Sequence, residues 1–218
     1  MRRVMVVGQP GSGKSTFALA LGRRLGLPVV HMDRLHWAPG WVERPVEERL
    51  GLARDAAARD AWIIEGNYFA AGPERLARAD LLVWLDRPVG LRLGRVLRRA
   101  LRDLGRTRPD MAEGCPERLR NLPGFAAYIW RTRRTRRTGR AAIASLAAGA
   151  RCRVVRLASD EDLAGFLKEG WGEPPGPAHG AGRSSGKPST GRLPDPHRPP
   201  DPPATISGPG GGQAPSRS

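Results

Sequence analysis

The chain has 218 residues, two cysteines and a formal charge of +16, length enough for one well-cored α/β domain and too few cysteines for a disulfide framework or a metal-ligand pattern. No run approaches eighteen apolar residues, and the first apolar segment starts almost at Met1 with no signal-peptide core ahead of it, so a reduced cytosolic setting without a membrane span is expected. So strong a positive balance favours a polyanionic partner: nucleotide phosphate, nucleic acid or an anionic membrane.

Taken in chain order, RVMVVG (3–8) reads as a first strand, and a helix follows over about 13–25, stopped by Gly26 and Pro28. PVVHMD (28–33) is a second strand, a helix is expected over about 46–59, and WIIEGN (62–67), LLVWLD (81–86) and CRVVRLAS (152–159) complete a set of five. Near-continuous apolar strands separated by helices predict a parallel sheet covered on both faces, the doubly wound α/β class, with ligands at the carboxyl ends of the strands. The connection from Asp86 to Cys152 is too long for a simple crossover. Its first part carries Arg92, Arg95, Arg99, Arg102 and Arg106 at helical spacing, with Leu93, Val96, Leu97, Leu101 and Leu104 mostly opposite. That pattern predicts one face that packs and one that offers guanidinium groups. A second helix, interrupted near Pro123, would carry Tyr128 and Trp130 and then Arg131, Arg133, Arg134, Arg136, Arg137 and Arg140. Lys14, Lys168 and Lys187 are the only lysines, so single arginines carry little weight and Lys14 stands out.

Composition changes near Trp171. Residues 172–218 are mostly Pro, Gly, Ser, Ala and Arg, with Leu193 and Ile206 the only large aliphatics, which predicts a disordered tail behind a folded unit of residues 1–171. The tail holds five basic and three acidic residues, so +14 of the charge belongs to the folded unit.

Gly8-Gln9-Pro10-Gly11-Ser12-Gly13-Lys14-Ser15-Thr16 satisfies G-x-x-x-x-G-K-[ST] directly after a strand and at the start of a helix. Glycines at 8, 11 and 13 let backbone N–H groups turn inward around an anion, and the helix N-terminus adds its dipole at the same point. Lys14 would supply a charge for the β and γ phosphates of ATP, and Ser15 a ligand for Mg²⁺. Glu65, ending the third strand, would hold the magnesium shell from beside the loop, because Mg²⁺ keeps several of its waters. Asp86, followed by Arg87-Pro88, reads as a helix N-cap.

The P-loop, IIEGNY (63–68) and the Arg-rich connection after WLDRP (84–88) resemble nucleoside-monophosphate-kinase architecture. DRLHWAPGW, WIIEGNY, and GCPER (114–118) followed by YIWRTRR (128–134) are more closely similar to a bacterial adenylate-kinase-like subgroup described as "DNA topology modulation" proteins. The resemblance covers about residues 3–168. It implies the P-loop kinase fold with strand order 2-3-1-4-5, an ATP site at residues 8–16 and a lid within residues 92–140. It does not extend to the AMP clamp: Asn67-Tyr68 replaces the aromatic, proline and arginine of adenylate kinases, and no T-G-[DE]-x-x-R-like segment follows the second strand.

Matching the lid pattern gives Arg95, Arg99, Arg131 and Arg134 as candidates for stabilising a transferring phosphoryl group. In hydroxyl-phosphorylating proteins of this fold an Asp at the end of the second strand orients or deprotonates the acceptor hydroxyl, and Asp33 matches it as acceptor base or acceptor ligand. His36 would give the acceptor pocket a polar edge, Trp37 either a flat face for a ring-shaped acceptor or a wedge against the core, and Asn67 and Tyr68 would line the same pocket, with Trp41 wedging the acceptor-side loop. Two functions follow. One is an ATP- and Mg²⁺-dependent kinase acting on a nucleotide, nucleoside or similar small molecule; the alternative is a P-loop nucleic-acid-binding or regulatory protein using the basic surface.

Overall fold

The computed structural model describes residues 1–135 and 139–168, so Arg136, Arg137 and the expected tail lie outside the described residues. In chain order the elements are β1 (Arg3–Gly8), α1 (Lys14–Leu25), β2 (Val29–His31), α2 (Met32–His36), β3 (Trp37–Ala38), β4 (Val42–Glu43), α3 (Val46–Ala58) and β5 (Trp62–Glu65). Then come α4 (Gly72–Arg78), β6 (Leu81–Leu85), α5 (Val89–Arg102), α6 (Leu122–Thr132), α7 (Arg140–Ala148), β7 (Arg153–Leu157) and α8 (Asp160–Lys168). Short 3-10 turns at Phe69–Ala71 and Leu119–Asn121 precede α4 and α6.

Five strands form one parallel sheet in the order β2-β5-β1-β6-β7, which is 2-3-1-4-5 when the sheet's own strands are counted. Alternate side chains of each strand point to opposite faces, so β1 sends Met5 and Val7 one way and Val4 and Val6 the other. The first face packs on Ala53, Ala56 and Ala57 of α3, Leu76 of α4 and Ile143 of α7. The second packs on Phe17, Ala18 and Leu21 of α1 and Phe166 of α8. Each large side chain removed from water here contributes about 1.5–3 kcal/mol. This two-sided burial is why the central strands β1, β5 and β6 read as continuous apolar runs, while edge strand β7 is exposed over most of its length, and the parallel register leaves the strand ends at Gly8, His31 and Glu65 on one rim.

Four local expectations are corrected. The acceptor-side stretch after β2 does not remain a loop: it forms α2 and an antiparallel hairpin of β3 with β4. On α5 the expected polarity is partly reversed, since Arg92 is fully buried while Leu97 and Leu101, and Leu104 just past its end, face solvent. Only Val96 and Ala100 of its apolar residues are buried, because the P-loop takes the place of a core against this helix. Pro123 does not interrupt a helix but stands in the first turn of α6, where its missing N–H costs nothing, and Arg140 opens a separate helix, α7. Asp86 does not cap α5, whose N-cap is Pro88; its carboxylate accepts from Arg140 at 2.9 Å and Arg156 at 2.8 Å, tying β6 to α7 and β7.

Candidate active site

The loop between β1 and α1 is held from three sides. Gly8 N–H donates to Asn67 Oδ1 at 3.0 Å, placing the end of β5 against the start of the loop. Gln9 donates its side-chain amide to the carbonyls of Thr132 and Arg133 at the end of α6. From α5, Arg92 donates to the Pro10 carbonyl and Arg95 to the Ser12 carbonyl, both at 3.3 Å. Gly11 has φ +78°, and a Cβ there would stand 2.5 Å from the Arg92 carbonyl oxygen, so glycine lets two stretches of backbone meet. Ser12 Oγ is buried inside the loop without a protein partner.

Ser15 Oγ donates to Glu65 Oε1 at 3.1 Å, and His31 Nδ1 lies 2.8 Å from the same oxygen. Glu65 is 2% exposed and His31 5%, so the two form a buried pair at the rim. A hydroxyl and a carboxylate beside an anion cradle fit the sparse protein donor set that Mg²⁺ accepts alongside phosphate and water. Among the described residues no group of three or more His, Cys, Asp or Glu side chains gathers to hold a metal.

One cleft of about 1320 Å³ runs from this loop to the hairpin. Lys14, Ser15, Asp33, His36, Trp37, Asn67 and Tyr68 all line it, as do Arg95 and Arg99. Arg131 and Arg134, also expected there, are exposed and do not line it: α6 meets the cleft through Leu122, Phe125 and Tyr128, and the cleft ends before Arg131 on the next turn. Asp33 opens to solvent, yet the enclosing walls raise its carboxyl above the ordinary value by desolvation first and the charge of Glu65 second. A raised carboxylate of this kind is a stronger base than a free one.

His36 does not present the polar edge expected of it. Arg49 donates to its Nδ1 at 3.0 Å and its Nε2 stands 3.3 Å from Glu43 Oε1, which fixes a neutral ring between them. Burial and then the Arg49 charge lower its pKa, in keeping with that assignment. What His36 gives the cleft is therefore a ring, set edge-on to Trp37 at 4.7 Å and Tyr68 at 6.4 Å.

Trp41 wedges its loop, adopting φ +66° and donating Nε1 to the Pro116 carbonyl at 3.0 Å, and it packs with Trp37 on Met111, Ala112 and Cys115. The segment after α5 is thus seated on the hairpin, a contact strengthened by Gly40 N–H donating to Gly114 O and Cys115 Sγ to Ala38 O. It brings in groups that sequence reading missed. Arg108 pairs with Asp110 at 3.0 Å and Glu117 at 2.8 Å, and Arg99 stands 3.6 Å from Glu117. Their only signal was position within the long connection; His31, at the end of β2, had a different one, two residues before Asp33.

A five-stranded parallel sheet with this loop at its rim defines a P-loop α/β protein. No protein-family model matches the chain, and no curated protein matches it either. Among solved structures it is similar to shikimate kinase from Acinetobacter baumannii in complex with shikimate, at 17% identity and TM-score 0.46 over 77% of this chain and 92% of that one. It is also similar to shikimate kinase from Bacteroides thetaiotaomicron, at 19% and 0.47 over 77% and 94%. A gluconokinase from Sinorhizobium meliloti 1021 gives 16% and 0.43 over 77% and 87%.

Proposed function

We propose that this chain is an ATP-dependent phosphotransferase that passes the γ-phosphoryl group to a hydroxyl of a nucleoside, nucleotide or similar acceptor. The observation that carries the reading is one cleft with Lys14, Ser15 and the Glu65 pair at one end and Asp33, with the rings of His36, Trp37 and Tyr68, at the other.

Phosphoryl transfer asks a protein mainly for positioning, charge stabilisation and exclusion of water. The N–H groups of residues 11 and 13–16, at the α1 N-terminus, cradle the phosphates, and Lys14 follows charge onto the β and γ oxygens. Ser15 and Glu65 would hold Mg²⁺, which when bound neutralises phosphate charge. His31 keeps Glu65 in place. Asp33 orients the acceptor hydroxyl and takes its proton. Arg95 and Arg99 face the space where charge develops, and one well-aimed guanidinium is worth about 10³–10⁵ in rate. In this reading the catalytic unit is residues 1–171, with residues 92–140 covering the site.

The basic surface as a purely regulatory nucleic-acid site gains less support, because Arg92 and Arg95 bind the P-loop and Arg140 pairs with Asp86. The test is an ATP-consumption screen of the purified protein across nucleosides, nucleoside monophosphates and small hydroxyl compounds. At least one should release ADP in an acceptor-dependent way, and Lys14→Ala should abolish the release; equal release by the variant would overturn the proposal.

A further inference from the structure

We infer that the acceptor of this cleft is the 5′-hydroxyl end of a single-stranded nucleic acid, an inference that rests on the phosphotransferase reading above. Extent is the first reason. The cleft lined by the ATP loop and by Asp33 is also lined by Arg98, Arg118, Phe125 and Tyr128, side chains with no role in the phosphotransferase reading above.

Charge is the second reason. Of the arginines on the acceptor side, Arg99 and Arg108 are matched by Glu117 and Asp110. Arg98 and Arg118 also line the cleft, are exposed, and have no carboxylate partner among the described residues. Two unmatched guanidiniums lining the cleft complement a backbone that carries a phosphate at every residue, whereas a free nucleoside would leave both unused.

Aromatic placement is the third. Phe125 and Tyr128 of α6 line the same cleft with rings 13° from parallel and centroids 6.2 Å apart, and Tyr128 is 37% exposed. Flat rings beside a basic wall are how proteins hold single strands without reading sequence, each stacked base adding about 1–3 kcal/mol. Arg131, three residues on from Tyr128, extends that row beyond the cleft and is exposed, which gives this otherwise idle residue a place on the strand's path. In the reaction the 5′ oxygen attacks the γ-phosphorus of ATP and a new P–O bond forms. The bond from that phosphorus to the β,γ-bridging oxygen breaks, ADP leaves, and the hydroxyl proton passes to Asp33.

The experiment uses the full chain with γ-labelled ATP and four acceptors: a 5′-hydroxyl deoxythymidine decamer, the same decamer already 5′-phosphorylated, a blunt duplex, and thymidine. Label is expected on the 5′-hydroxyl decamer with a KM below that of thymidine, and none on the phosphorylated one. With a slope of about 0.7 per phosphate contact on single strands and two contacts, KM should rise about 7-fold between 50 and 200 mM salt. Arg98→Ala with Arg118→Ala should raise KM for the decamer and remove most of that salt dependence while kcat stays within about twofold, the split expected of uniform binding. Thymidine labelled as well as the decamer, without salt dependence, overturns the inference and leaves the phosphotransferase reading standing, as does a duplex labelled equally well. No label on any of these or on the small hydroxyl panel removes both.

Discussion

Gly11→Ala probes the junction on which the whole site depends. At φ +78° an L-residue costs about 1–2 kcal/mol, and the new methyl would meet the carbonyl oxygen, carbon and Cα of Arg92 at 2.5, 3.0 and 3.1 Å. Those are backbone atoms of α5 and cannot rotate aside, so the overpacking adds about 1–3 kcal/mol. The expected loss is about 2–5 kcal/mol in urea unfolding, with the slope unchanged. If α5 yields instead, Arg92 and Arg95 leave the Pro10 and Ser12 carbonyls and the loss moves into ATP affinity, read by titration of the folded protein. Gly94→Ala on the same helix is the control: nothing lies within 4 Å of its added methyl, and it should stabilise by about 0.5–1 kcal/mol. A Gly11→Ala protein as stable as the parent and binding ATP equally well would refute the close approach of loop and helix.

Asp33→Asn should lower kcat by about 10²–10⁴ with ATP binding intact, since general-base catalysis is worth that much. Because the Asp33 carboxyl is raised from its ordinary 3.8, the parent's rate should climb with pH through a midpoint shifted upward from that value, and this limb should be missing from the variant. Glu65→Gln should raise the Mg²⁺ concentration needed for an ATP-induced thermal shift, and an unchanged requirement would remove Glu65 from the metal shell. Asp86→Ala should cost about 1–3 kcal/mol at neutral pH through two lost charge-assisted contacts. Burial raises the Asp86 pKa, but the Arg140 and Arg156 hydrogen bonds outweigh that and leave it depressed. Its contribution is therefore full above 3.8 and fades as pH falls further, so the stability gap between parent and variant should close in acid.

The sheet was legible because its chemistry is local and repetitive: the central strands, buried on both faces, show as unbroken apolar runs, the half-exposed edge strands β2 and β7 still carry Val-Val pairs, and all five lie where expected. The P-loop was equally plain, since its glycines, lysine and hydroxyl sit within nine residues. Glu65 could be placed because neighbouring strand ends share a rim. The α5 face was misjudged because an arginine buried against carbonyl oxygens looks, in sequence, like any solvated arginine; Arg92 finds the Pro10 carbonyl 82 residues away. The same distance hid the Arg108, Asp110 and Glu117 network, which meets the cleft only because the segment after α5 folds onto Trp37 and Trp41. His36 was seen as a free polar edge because its captors, Glu43 and Arg49, stand one hairpin and one helical turn further on.

The central claim is acceptor-dependent transfer at the Lys14 loop, and the most direct measurement follows the γ-phosphoryl group itself. With γ-labelled ATP and a responding acceptor, the parent should move one label to one acceptor hydroxyl for each ADP formed, and Lys14→Ala should move none. ADP appearing with all label in inorganic phosphate whatever acceptor is present, or transfer persisting in Lys14→Ala, would contradict it.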